Sequence, residues 1–265
     1  MTTDQLVTLN HSDRQTVIYT FHAISGGVTA YSTLAGAIED VASVKGIVSP
    51  GRVPHGRALD NIKDMATTAA AIIADDSRGK PYALLGWCMG GLIAYEVAIL
   101  TQDSDRRPAF VALMDTNLVL QPEPARATEL ERIYWTSLGQ ILVGQAWKNS
   151  SLAETLSFSM DSDRLNYIFS LSKSSSSPSG FESMKRLVDV FEAHWRATQG
   201  YRPTSPSVEF TFFSAAESPY PRAAQSWREL CGDLATIERL SGNHFSILEK
   251  PHLDELSAWV RRSVQ

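Results

Sequence analysis

Along most of the chain, apolar runs of strand length alternate with stretches whose apolar residues recur at helical spacing. Val17-Ile18-Tyr19-Thr20-Phe21 is an unbroken β-branched and aromatic run and predicts a buried strand. Residues 30–38 then predict a helix, 44–48 a strand, 59–74 a helix, 82–85 a strand, 90–101 a helix and 110–114 a strand. The alternation returns near the end, with strands over 208–213 and 235–240 and helices over 223–230 and 251–262. Strands separated by helices call for right-handed crossovers and a mostly parallel sheet covered by helices on both faces.

Residues 117–201 break this rhythm. They predict helices over 128–147, 161–172 and 181–198, interrupted by the polar run Ser172-Lys173-Ser174-Ser175-Ser176-Ser177-Pro178-Ser179-Gly180, for which mobility is expected. A long helical insertion between two strands of one sheet is more often functional than decorative, so this segment is expected to be a lid on a single α/β domain spanning 1–265.

Composition narrows the class. Of 265 residues, 43% are apolar and 20% charged, enough to form a full core without cross-links. The net charge of -5 gives no basic surface for nucleic acid. The apolar runs are too short to span a bilayer, and Met1-Thr2-Thr3-Asp4-Gln5 lacks the basic start of a secretory leader. With only two cysteines, far apart, a disulfide framework is not suggested; a reduced, cytoplasmic setting is expected.

The chemistry centres on Leu84-Leu85-Gly86-Trp87-Cys88-Met89-Gly90-Gly91, where a buried strand runs through a G-x-C-x-G element into a helix. This is the layout of a nucleophile elbow with sulfur in place of a serine hydroxyl, and it implies the α/β-hydrolase fold. Such a turn strains the nucleophile's backbone, and the flanking glycines let strand and helix approach. The Met89 amide, next in the chain, is placed to donate to an oxyanion.

A free thiol is only a few per cent ionised at neutral pH, so Cys88 calls for a base. In this fold the histidine follows the last strand, where Ser241-Gly242-Asn243-His244 lies. Asp115, at the end of the 110–114 strand, emerges at the same sheet edge as Cys88 and is expected to hold His244; Glu217, after the 208–213 strand, is the rival acid. The second oxyanion donor belongs to the loop His22-Ala23-Ile24-Ser25-Gly26-Gly27, with the Ile24 amide the first choice and Ala23 the second. His22 borders this loop and is a candidate to line the site. His194 is expected at the surface of an insertion helix, and His11, His55 and His252 read as background. Cys231 is expected to be buried and inert. No metal-ligand spacing or phosphate-binding glycine loop appears, and no cofactor is expected.

Together these segments resemble the thioesterase domains of nonribosomal peptide synthetases and polyketide synthases. The resemblance runs from about Leu6 to the C-terminus. It includes Leu6-Val7-Thr8-Leu9-Asn10, the Phe21 to Gly27 loop, Tyr31-Ser32-Thr33-Leu34-Ala35, the elbow, Leu113-Met114-Asp115-Thr116, Tyr201-Arg202-Pro203 and Gly242-Asn243-His244-Phe245. In that family the acid often follows the strand after the elbow helix, which favours Asp115. Most members carry serine where this chain has Cys88. The resemblance implies a partner, an acyl or peptidyl carrier protein whose phosphopantetheine arm presents a thioester, and release of the acyl chain by cyclisation or hydrolysis. Stand-alone aminoacyltransferases that shuttle residues between carriers use a cysteine in the same fold and supply a second reading. Dienelactone hydrolases share a Gly-x-Cys-x-Gly-Gly elbow but lack the large insertion. Aromatic residues of the insertion, Tyr134, Trp135, Trp147, Phe191 and Trp195, are candidates to line a substrate channel.

Overall fold

The computed structural model describes residues 3–103, 107–118, 127–172, 177–204 and 208–264. Seven strands form one sheet: β1 (Leu6–Thr8), β2 (Val17–Phe21), β3 (Ser43–Ile47), β4 (Tyr82–Trp87), β5 (Val111–Met114), β6 (Phe210–Glu217) and β7 (Ala235–Asn243). Their order is β1-β3-β2-β4-β5-β6-β7, with β1 antiparallel at one edge and every other pairing parallel. The helices are α1 (Ser32–Ala37), α2 (Ile62–Ser77), α3 (Met89–Thr101), α4 (Ala127–Val143), α5 (Asn149–Ser157), α6 (Asp161–Ser170), α7 (Pro178–Gly200), α8 (Ala223–Cys231) and α9 (Leu253–Ser263). This is the α/β-hydrolase arrangement that the alternating pattern predicts.

The period-two geometry of a strand sends neighbouring side chains to opposite faces, and here both faces are dry. Val17, Tyr19 and Phe21 of β2, Leu84 of β4 and Leu113 of β5 join a core with α2, α3 and α8. Ile18, Ala83, Leu85, Ala112 and Met114 point the other way, into a core with α1 and α9. Helix α3 is buried from Met89 to Ala98, which explains why its apolar residues show no single stripe.

Four helices, α4 to α7, connect β5 to β6 and share a third core built on Trp135, Leu138, Ile168, Phe169, Met184, Val188 and Phe191. Two elements escape the sequence pattern. Strand β1 is three half-exposed residues, too short to show alternation. Helix α5 is rich in Ser, Thr and Asn, residues that favour caps and turns over helix interiors. Helix α7 starts earlier than expected: the Ser177 hydroxyl accepts from the Gly180 amide and Pro178 fits the first turn, so part of the polar run is helical. Residues 173–176 of that run lie outside the described residues.

Candidate active site

At the end of β4 the chain turns sharply into α3, with Cys88 between them at φ 58° and ψ -129°. A side chain pays roughly 1–3 kcal/mol for such a conformation, and it persists only where its surroundings enforce it. They do so here: the Cys88 amide donates to the Met114 carbonyl (3.0 Å) and the Cys88 carbonyl accepts from the Gly91 amide (3.2 Å). A β-carbon at Gly86 would strike the Gly90 carbonyl, and one at Gly90 would strike the Phe21 carbonyl. Both glycines are thus required by close backbone approach, and Cys88 is left half-buried at the C-terminal edge of the sheet.

His244 follows β7 and Asp115 follows β5, so both reach the same edge. The His244 Nδ1–H donates to Asp115 Oδ2 at 2.7 Å, with both residues buried. Asp115 is itself over-determined. Its Oδ1 accepts from the Ala215 amide (3.1 Å), its Oδ2 from the Ser218 hydroxyl (2.9 Å), and its backbone lies at φ 44°. Glu217 is exposed and lies in the β6–β7 ladder opposite Asn243, so the rival acid does not meet the histidine. Burial pulls the His244 pKa down. The negative charge of Cys88 and hydrogen bonds with Asp115 and Cys88 outweigh it and raise the imidazole to about 9. The imidazole is therefore held protonated near neutral pH, beside the Cys88 sulfur and the Asp115 carboxylate.

Trp87 and Tyr220 complete the packing around His244, and neither was singled out in the sequence. The Trp87 indole N–H donates to the His244 carbonyl at 2.8 Å, and its ring lies 5.1 Å from the imidazole. Tyr220 meets the same imidazole edge-on at 5.2 Å. Ser218 was also missed. These three act through tertiary contacts that no local motif records.

Ile24 and Met89 line a cleft together with Cys88, Leu92, Asn117, Leu130, Ile133, Trp195, Thr198, Gln199 and Tyr220. Among the described residues, neither the Ile24 nor the Met89 amide has a hydrogen-bond partner. The Ala23 amide, by contrast, donates to the Gly27 carbonyl (3.4 Å), which leaves Ile24 as the available donor. Of the five insertion aromatics, Trp195 lines this cleft, whereas Trp135 and Phe191 are buried in the insertion's own core and Tyr134 and Trp147 pack against it.

Two histidines differ from expectation. His194 is fully buried instead of exposed, and His22 lies behind the loop, where it borders a small separate cavity rather than the cleft. Their rings stack 4.7 Å apart. Cys231 is buried as expected, with Tyr95 Oη 3.7 Å from its sulfur, and burial pushes its thiol up.

A cysteine on a strained elbow, a buried His–Asp pair and two backbone amides without a partner among the described residues thus gather at one edge of an α/β-hydrolase sheet. The chain belongs to the thioesterase domain family, which matches residues 16–263. It is 25% identical over 244 residues to the non-reducing polyketide synthase atnG of Arthrinium sp., covering 91% of this chain and 12% of that protein. It is 30% identical over 101 residues to enterobactin synthase component F of Escherichia coli O157:H7, covering 37% of this chain and 8% of that protein. The chain thus spans about a tenth of the length of these curated relatives. The structure of holo-AB3403, a four-domain nonribosomal peptide synthetase bound to AMP and glycine, superposes with a TM-score of 0.79 at 21% identity, over 98% of this chain and 20% of that one. No helix among the described residues is long and apolar enough to cross a membrane.

Proposed function

We propose that this chain takes an acyl or peptidyl group from the phosphopantetheine thioester of a carrier protein onto Cys88 and releases it by cyclisation or hydrolysis. The observation that carries the reading is the half-buried sulfur at the elbow beside an imidazole that Asp115 holds at 2.7 Å. The Cys88 thiolate attacks the thioester carbonyl, and the oxyanion is received by the Ile24 and Met89 amides. Collapse breaks the carbon–sulfur bond to the carrier, whose departing thiolate takes the proton from His244. The acyl-enzyme is then opened by an acceptor hydroxyl, amine or water. His244 removes the acceptor's proton, and Cys88 leaves as thiolate.

Sulfur matters to the outcome. Thioester-to-thioester exchange keeps the acyl group activated, whereas a serine would lower it to an oxoester. That supports ring closure and equally supports passage to a second carrier thiol, the alternative reading. The mainly apolar lining of the cleft suits an uncharged acyl segment, and helices α4 to α7 serve as its lid, with the carrier approaching between them and the sheet edge. The multidomain relatives, a polyketide synthase and an enterobactin synthase component, support a carrier-borne substrate.

The test is incubation with an acyl-loaded carrier, followed by intact-mass analysis for acylated protein, free acid, ring product or a second loaded carrier. Cys88→Ala is expected to abolish both acylation and turnover; full turnover by that variant would remove the nucleophile assignment. Cys88→Ser is expected to fold normally, and either to lose transfer or to shift products towards hydrolysis. An unchanged product ratio would refute the role given to sulfur.

A further inference from the structure

The buried histidine pair has no part in the chemistry above, yet it sits directly behind the oxyanion loop. The His194 Nδ1–H donates to the Ile24 carbonyl at 2.8 Å. Its other ring nitrogen, Nε2, therefore accepts from the Ser49 hydroxyl at 3.1 Å. His22 stacks on His194, and its Nδ1 lies 3.2 Å from the Ala23 carbonyl, which also accepts from the Gly26 amide at 2.9 Å. Burial drives the pKa of both imidazoles down, His194 to about 4, so the stack is neutral.

These bonds have a geometric consequence for one peptide plane. The Ala23 carbonyl and the Ile24 N–H belong to the same trans peptide and point in opposite directions. With the carbonyl held from behind by Gly26 and His22, the Ile24 N–H is aimed forward, towards the cleft. His194 holds the next carbonyl, so the backbone is pinned on both sides of the donor. We propose that His194 is a positioning residue for the oxyanion hole, holding the Ile24 amide in its productive orientation through the Ile24 carbonyl and the stacked His22. This inference rests on the acyl-transfer reading.

Helix α7 is built to hold that position. Val190, His194, Ala197 and Tyr201 recur at i, i+4, i+7 and i+11 and form one face turned to the sheet and loops. A β-carbon at Gly26 (φ +78°) would clash with Val190. At the other end, the Tyr201 hydroxyl donates to the buried Glu96 carboxylate at 2.8 Å. Glu96 lies on α3, whose first residue is Met89, the other oxyanion donor. A single helix face thus references both donors to each other, which makes α7 a fixed brace for the site.

The experiment separates oxyanion stabilisation from nucleophile activation. His194→Phe keeps the ring and its stack but removes the donor. His194→Asn removes the stack but restores an N–H near the position of Nδ1. The probes are the octanoyl thioester of pantetheine, octanal (whose hemithioacetal with Cys88 places an oxyanion in the hole) and iodoacetamide, which alkylates the sulfur without using the hole. Deleting a donor outright costs about 10²–10³ in kcat, so displacing one through its neighbour is expected to cost His194→Phe about 10–10²-fold. Octanal affinity should fall in parallel, with KM and the alkylation rate of Cys88 unchanged, and His194→Asn should recover most of the loss. Undiminished Cys88-dependent octanal binding in His194→Phe overturns the positioning role alone. Equal octanal binding by Cys88→Ala and wild type overturns the acyl-transfer reading beneath it. A merely structural role would instead lower alkylation, octanal binding and thermal stability together. If His194→Phe does not fold, Ser49→Ala, which frees the His194 tautomer, is expected to give a smaller loss of the same pattern, and no loss there refutes the proposal.

Discussion

Replacing Asp115 by asparagine tests the site at its most constrained point. The Ala215 amide, 3.1 Å from Oδ1, can only donate, so an asparagine must keep its carbonyl on that side. Its NH₂ then takes the place of Oδ2, 2.7 Å from His244 Nδ1. The Ser218 hydroxyl can turn to accept, so it offers no resistance. The imidazole has to accept on Nδ1 and keep its one proton on Nε2, so it cannot take the thiol proton of Cys88 and the thiolate–imidazolium pair cannot form. The carboxylate's attraction for the imidazolium is lost as well. At roughly 4 Å between charge centres and an effective dielectric of about 20, that attraction is about 4 kcal/mol. Dividing by about 1.4 kcal/mol per decade gives a loss of about 10³-fold in acylation. Quenched-flow acylation of Cys88 by octanoyl-pantetheine, read by intact mass, measures it, with thermal melting as the check on folding. Glu217→Gln is the matched control and should acylate at the wild-type rate, since Glu217 is exposed and the imidazole Nδ1 bonds to Asp115 instead. An Asp115→Asn loss below tenfold, or an equal loss in Glu217→Gln, would refute the reasoning.

His244 is expected to titrate near 9 by NMR, well above its ordinary 6.5, and to fall in Cys88→Ala, which removes the leading cause that raises it. Because the folded value is raised, the associated stability, on the order of 3 kcal/mol, is fully present below about 6.5 and is lost as pH rises through about 9. A wild-type midpoint below 6.5, or stability that increases over that window, would contradict the imidazolium assignment. Trp87→Phe keeps a ring beside His244 but removes the donor to its carbonyl. It should cost about 1 kcal/mol, or roughly fivefold in kcat, with little change in KM. An unchanged kcat would show that the indole bond does not hold the imidazole in place.

Much of this protein is decided locally. The continuous strand-length runs Val17–Phe21 and Val111–Met114, buried on both faces, the helical spacing of α2 and the G-x-C-x-G turn are short-range patterns, each readable because its physical cause lies within a few residues. From them follow the sheet, its C-terminal edge and the arrival there of Cys88, Asp115 and His244. The sequence also ranked Asp115 above Glu217, and the hydrogen bonds on both Asp115 oxygens supply the physical reason. What it could not reveal is which side chains meet across the fold. Trp87 and His244 are 157 residues apart, and His194 and the Ile24 carbonyl 170, yet each pair is in hydrogen-bond contact. A histidine on an amphipathic helix reads as surface because polarity is a local property. Burial of His194 depends on whether donors and acceptors from distant loops satisfy it, and only the assembled tertiary structure decides that.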